Sequence, residues 1–262
     1  MASLTELNVY PLKSGSGTSL SSAELTPRGL RHDREFMLID SAGRMLTQRA
    51  HPWLARLRMS YDGKLLVAGD FIHRPVDNGP VLEVEVWGTP CQGIDQGPAA
   101  AAWYSAFLDL EVRLIWFTGH RQTPLGGGSV GFADGYSLLV LSQESLDDLN
   151  DRLNDRLGEP VPMNRFRPNL VIEGLGPFGE DTARVLRVGT ATLDLVAPCP
   201  RCVITTVDQE TAIKGREPLR TLAGYRTQVF NGDRGIMFGQ NAIPRGTGTL
   251  HVGDPVEILE RA

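Results

Sequence analysis

At 262 residues the chain is long enough for one large domain or two ordinary ones with a well-buried core. A hydrophobic content of 41% and a charged content of 22% are those of a soluble globular protein, and a net charge of −5 argues against nucleic acid as the main partner, because phosphates are met by basic faces. No apolar stretch approaches the roughly 18–20 residues of a membrane helix, the first six residues hold no basic run or apolar leader core, and three cysteines are too few for a disulfide framework, so the expectation is a cytoplasmic protein with reduced thiols and no membrane partner.

Strand signals dominate the first half. Residues 4–12 alternate and break at Lys13-Ser14-Gly15-Ser16-Gly17. Residues 35–39 and 44–47 flank Ser41-Ala42-Gly43, the pattern of a hairpin with a short glycine-containing loop. Residues 81–87 alternate strictly, as a strand with one wet face does. Composition shifts over residues 88–98, which sets an expected boundary between a unit of residues 1–97 and one of 98–262. Pro98 suits the first turn of a helix over residues 99–110, with Trp103, Phe107 and Leu110 on one side. Val112–Phe117 is again a strand, and Gly126-Gly127-Gly128 reads as a loop over a site.

The second half opens with a short buried strand at residues 137–141. Ser142 is a good N-cap for a helix with Leu146, Leu149, Leu153 and Leu157 at spacings of three and four. Asp147 and Asp148 suit the helix start, and Gly158, Pro160 and Pro162 end it. Residues 168–173, 184–188, 192–196 and 203–207 are strand-like. A short helix is expected at 217–223, then a closing hairpin over 249–259 that turns at Gly253-Asp254-Pro255. Strands outweigh helices, so the fold class is mainly β, an α+β protein of β-barrel type.

Pro198-Cys199-Pro200-Arg201-Cys202 is the loudest chemical signal. A zinc site wants four ligands, and only Cys91 and five scattered histidines remain to supply them. A thioredoxin-like dithiol sits where a strand hands over to a helix, whereas Val203-Ile204-Thr205-Thr206-Val207 favours a strand. Two buried structural thiols are the ordinary fate of free cysteine. The remaining reading is a single thiolate for a soft transition metal, with Arg201 beside Cys202 favouring the ionised sulfur.

Three ordered segments make the context specific: Asn164-Arg165-Phe166-Arg167-Pro168-Asn169, then Cys199-Pro200-Arg201-Cys202-Val203-Ile204-Thr205-Thr206-Val207-Asp208, then Leu250-His251-Val252-Gly253-Asp254-Pro255. Together they resemble the MOSC family, in the branch of the amidoxime-reducing enzymes and their bacterial relatives. Val9-Tyr10-Pro11-Leu12-Lys13-Ser14 and Gly29-Leu30-Arg31-His32-Asp33-Arg34 resemble motifs of the β-barrel domain that precedes MOSC there. The resemblance spans nearly the whole chain. It implies a MOSC-type β-barrel after a smaller β-rich N-terminal domain, and a molybdenum cofactor (molybdopterin) whose metal is ligated by Cys202, also the catalytic centre. It further implies that Lys13, Ser14, Arg34, Arg167, Asn169, Pro200, Arg201 and Asn241 line that cofactor.

Molybdopterin carries a phosphate, which suits those cations. Backbone N–H groups of residues 13–17 are further candidates for the phosphate. The implied activity is reduction of amidoximes, hydroxylamines or N-oxides, with electrons from a separate flavin or iron–sulfur protein, since the chain shows no site for either. Rival readings are a sulfur carrier with a persulfide on Cys202 and a non-catalytic cofactor-binding module. Two positions depart from the mammalian pattern: Gly135-Tyr136 replaces a Thr-Ser pair, and Asn241 replaces a tyrosine. No Walker phosphate loop and no Gly-x-Ser-x-Gly elbow is present.

Overall fold

The computed structural model describes residues 1–157 and 160–262, the side chains of 155–157 excepted. The chain is mainly β. A nine-stranded sheet runs in the order Val256–Arg261, Ala183–Val188, Ala191–Pro200, Asp233–Pro244, Leu138–Ser142, Leu170–Glu173, Ser3–Val9, Thr18–Leu20, with Thr227–Phe230 paired to Asp233–Pro244. The N-terminal strand therefore joins the sheet built by the second half, antiparallel to Leu170–Glu173. Its inward residues Leu4 and Leu7 are fully buried and pack with Leu138, Val140, Leu170 and Ile172. A bulge between Leu4 and Glu6 shifts the alternation by one residue, so Leu4 and Leu7, three positions apart, both face the core.

A four-stranded antiparallel sheet, Phe36–Asp40, Val112–Phe117, Thr89–Asp95 and Val81–Val86, forms the other large layer. Helix α1 (Gly97–Leu108) connects Thr89–Asp95 to Val112–Phe117, with Pro98 in its first turn, as expected. Its buried residues are Ala100 and Tyr104, however, and Phe107 is exposed. Trp103 instead stacks on Phe71 and Phe107 at the edge of the helix, where its indole N–H reaches Asp70 at 3.0 Å.

Helix α2 (Gln143–Leu157) is capped by Ser142, whose Oγ accepts the N–H of Ser145 at 3.2 Å. Leu146, Leu149 and Leu153 are buried in one cluster with Phe166 and Phe238. The expected fourth apolar position, Leu157, and the stop at Gly158 lie outside the described side chains and residues. Helix α3 (Leu219–Ala223) occupies part of the expected 217–223 segment.

Four local expectations are corrected. Residues 44–47 form no full strand: beside Phe36–Asp40 they make the isolated bridge of Ile39 to Met45 and the backbone bonds from Asp40 N–H to Arg44 and from Leu46 N–H to Leu38, round a turn in which Asp40 Oδ1 captures the N–H groups of Ala42 and Arg44. Residues 203–207 are not a strand but a 3-10 turn, Val203–Thr206. Thr205 and Thr206 donate their hydroxyls to the carbonyls of Cys202 and Val203, at 3.0 and 2.8 Å, which favours the turn over β propensity. The strands at the C-terminus turn at Gly253 yet do not form a hairpin: Gly248–His251 pairs with Ser22–Thr26, and Val256–Arg261 with Ala183–Val188. The glycine loop at 126–128 packs on Ile243 and Val196 instead of covering the site.

Candidate functional site

One cleft, of about 900 Å³ with its open mouth, collects all nine residues expected from the sequence: Lys13, Ser14, Arg34, Arg167, Asn169, Pro200, Arg201, Cys202 and Asn241. They arrive from separate segments. Lys13 and Ser14 follow the first strand, and Arg34 precedes the strand Phe36–Asp40. Arg167 and Asn169 precede Leu170–Glu173, and the cysteine motif ends the strand Ala191–Pro200. Gly239 sits at φ 81, where a Cβ would strike Leu141 and the Val140 carbonyl, so only glycine lets Asp233–Pro244 approach closely enough to set Asn241 opposite Leu139.

The inner end of the cleft is cationic. Lys13 is buried and donates to the Phe132 carbonyl at 2.8 Å while pairing with Asp134. Burial pulls the Lys13 pKa down, with Asp134 only partly compensating. Burial pushes Asp134 up, but the Lys13 charge and hydrogen bond outweigh it and hold the carboxyl well below the usual range. Arg34 is anchored by Asp33 at 2.5 Å and by Asn169 Oδ1 at 3.1 Å. Asn169 ties this corner together, since its Oδ1 also accepts the Leu139 N–H and its Nδ2 donates to the Asn8 carbonyl.

The guanidiniums of Arg34 and Arg167 both lie over the Tyr10 ring, at 4.2 and 4.3 Å. Burial, then the neighbouring Arg34 charge, push the Arg167 pKa down to about 10. Ser14, Arg34 and Arg167 all have positive φ, 65°, 48° and 58°. Such backbone costs about 1–3 kcal/mol per residue and gathers where geometry serves a site.

Of the backbone N–H groups of residues 13–17 expected as candidate donors, three are already taken. The N–H groups of Lys13, Gly15 and Ser16 bond the carbonyls of Phe36, Leu12 and Leu57, and Arg167 Nη1 takes the Gly15 carbonyl at 2.6 Å. Those three amides are committed to fixing the loop.

At the sulfur end, Cys199 and Cys202 are both free and partly exposed, and both line the cleft. Arg201 was expected to favour the Cys202 thiolate. Its Nη1 instead meets Cys199 Sγ at 2.9 Å and its Nη2 the Phe166 carbonyl at 2.5 Å. Asn241 Nδ2 donates to the Pro198 carbonyl at 3.2 Å, steadying the strand that delivers the motif. Cys91 is buried in the four-stranded layer. Among the described residues no three His, Cys, Asp or Glu side chains gather as a metal cage, so most ligands of a metal at Cys202 would come from its cofactor.

Among the lining residues that the sequence reading did not place at the site are Arg49, Trp87 and Asp134. Trp87 had been counted as the last residue of a strand. It is the first of two turn residues between Val81–Val86 and Thr89–Asp95, with φ 52° followed by Gly88 at 79°. Two-residue turns of this kind favour Asn-Gly, and a bulky residue there is an outlier. Arg49 lies over the Trp87 ring at 4.1 Å. The only available signal was a Trp-Gly pair where turn chemistry prefers a small polar residue.

The donor set suits an anionic pterin cofactor. Five cations line the cleft against one carboxylate, Asp134, and the Nε groups of Arg49 and Arg201 are buried without a partner among the described residues.

Residues 1–111 match the MOSC N-terminal beta barrel domain and residues 127–257 the MOSC domain. The chain is 36% identical to the Mus musculus protein named mitochondrial amidoxime-reducing component 1, over 99% of this chain and 83% of that one. The Homo sapiens protein of that name is 34% identical over the same shares. A molybdenum cofactor sulfurase of Oryza sativa is 32% identical over 93% of this chain, which spans only 33% of that protein. Among solved structures, YuaD of Bacillus subtilis is similar over 98% of this chain and 94% of its own, at 8% identity and a TM-score of 0.44. The mitochondrial names of the relatives overturn the cytoplasmic expectation and point to mitochondria, because the composition of the first residues does not decide a compartment. With both domain matches in order and amidoxime-reducing relatives along nearly its full length, the chain belongs to the MOSC family, in the two-part form where the N-terminal beta barrel domain precedes MOSC.

Proposed function

We propose that the protein is a molybdenum-cofactor-dependent reductase of N-oxygenated compounds, with the cofactor at the seam between residues 1–97 and 98–262. The observation that carries this reading is the meeting in one cleft of the Cys202 thiol with Lys13, Arg34, Arg167 and Arg201. When bound, the cofactor supplies two-electron redox chemistry at its metal. Cys202 would hold that metal, and the buried cations would neutralise the pterin phosphate. Asn169 positions Arg34, and Cys199 positions Arg201. In the net reaction an amidoxime takes up two electrons and two protons, the N–O bond breaks, and an amidine and water leave. The electrons come from a separate flavin or iron–sulfur protein.

Metal analysis of protein made in a host that synthesises molybdopterin tests the ligand. Cys202→Ala is expected to lose bound molybdenum and turnover of an aryl amidoxime, while Cys199→Ala retains most of the metal. Loss of metal in Cys199→Ala alone would reverse the assignment. The partial match to a molybdenum cofactor sulfurase favours a second reading, sulfur handling through a Cys202 persulfide. A persulfide carrier would purify with sulfane sulfur on Cys202 and without stoichiometric molybdenum.

A further inference from the structure

The cleft has more positive charge than one phosphate uses. A phosphate monoester carries about two negative charges, whereas Lys13, Arg34, Arg49, Arg167 and Arg201 line the walls against the single carboxylate of Asp134. These cations are not equivalent in depth. Lys13 is buried, with Arg34 almost as enclosed and Arg167 bonded to the loop carbonyl of Gly15. Arg49 is less enclosed than Lys13, with which it shares the Trp87 ring. It lies on Trp87, which is 44% exposed, at the outer part of the same cleft.

Two features mark Arg49 as a waiting donor and not as a structural tie. Its Nε is buried with no hydrogen-bond partner among the described residues, and the carboxylate whose charge it meets, Asp134, makes its ion pair with Lys13. The residue beneath it, Trp87, holds the left-handed backbone of a hairpin tip, a conformation that bulky side chains rarely adopt. The indole hydrogen-bonds Asp134 and carries the Arg49 guanidinium on its face, so the tip orients both groups. The stacking fixes the plane of Arg49 and leaves its edge N–H groups to an incoming ligand.

We infer that Arg49, held on Trp87, is a second anion-receiving group at the outer part of the cleft, and that the preferred substrates are N-oxygenated compounds bearing a carboxylate or phosphate. This rests on the reductase reading for the word substrate, but the binding itself does not depend on turnover. Arg49 would take the anionic group bidentately, fork to carboxylate, while the N–O group points inward toward Cys202. Trp87 acts as a positioning residue through Arg49.

Calorimetric titration of the molybdenum-loaded protein, with no electron donor present, separates these roles. Benzoate is the anionic probe and benzamide its neutral counterpart. The wild type is expected to prefer benzoate by about tenfold, the scale of one hydrogen bond to a charged group. Arg49→Gln should abolish the preference, Trp87→Leu should reduce it, and Trp87→Phe, which keeps an aromatic platform, should restore most of it. Equal binding of the two probes by the wild type, or a preference that survives in Arg49→Gln, overturns the inference. With a donor present, the kcat/KM ratio of 4-carboxybenzamidoxime to benzamidoxime should fall in the same order. If neither amidoxime is reduced while the benzoate preference stands, the reductase reading fails and the anion site remains.

Discussion

Arg167 sits where burial and the Arg34 charge both disfavour its protonated form, so its pKa falls from the usual arginine range to about 10. For a base, a folded pKa below the unfolded one means that the unfolded chain holds more protons between the two values. Stability therefore rises as pH climbs from about 10 towards the usual arginine range. Ligand binding has the opposite sign: an anion favours the charged guanidinium, so it binds best below about pH 10 and takes up protons near that value. Phosphate affinity of the cofactor-free protein, measured against Arg167→Met, should differ by roughly tenfold at pH 8. That gap should close as pH passes through about 10. A gap that is constant across the range would show that the Arg167 charge does not serve the anion. The same reasoning explains why the cations were legible in the sequence only as members of ordered motifs. Taken singly, each Arg or Lys reads as a solvated surface charge, and only the shared cleft distinguishes Lys13 from the exposed Lys64.

Among the elements, α2 shows how a buried acid can stand in for a longer cap. Glu180 is fully buried beside the helix N-terminus and accepts from Ser142 N–H, Ser142 Oγ and Ser145 Oγ. Burial pushes its pKa up, and the serine hydrogen bonds only partly offset this. A carboxyl whose folded pKa exceeds its unfolded 4.5 contributes its full share of stability below about pH 4.5 and loses it as pH rises through the folded value. The stability advantage of the wild type over Glu180→Gln should thus be largest in acid and shrink towards neutrality, read from chemical denaturation at several pH values. An advantage that grows with pH would contradict this. Elements with a strong period, such as α2 and Val81–Val86, were readable because alternation or a three-four spacing is written directly by burial. The 3-10 turn after Cys202 was not, since threonine back-bonding overrode local β propensity. The separate pairing of Gly248–His251 and Val256–Arg261 is a long-range choice, set by Ser22–Thr26 and Ala183–Val188, that no local pattern records.

At the scale of the whole molecule, the first 97 residues do more than precede the rest. Leu4, Leu7, Leu25 and Leu30 are buried in one cluster with Leu138, Leu170, Leu193 and Leu250. Burying each such side chain is worth about 1.5–3 kcal/mol, so removing all four forfeits roughly 6–12 kcal/mol. The whole stability of a typical domain is about 5–15 kcal/mol. The loss would also bare the edges of Leu170–Glu173 and Gly248–His251, leaving unpaired amides on both. A fragment of residues 98–262 made alone is therefore expected to show no cooperative melt, and co-expression with residues 1–97 should restore one. Phosphate binding should return with it, because Lys13, Ser14 and Arg34 reach the cleft only from the first segment while Arg167, Arg201 and Cys202 come from the second. A sharp melt from 98–262 alone would mean that the shared sheet is dispensable. The cleft would then be a contact between two independent bodies, and the precise spacing of cation and thiol that the proposed chemistry needs would lose its structural basis.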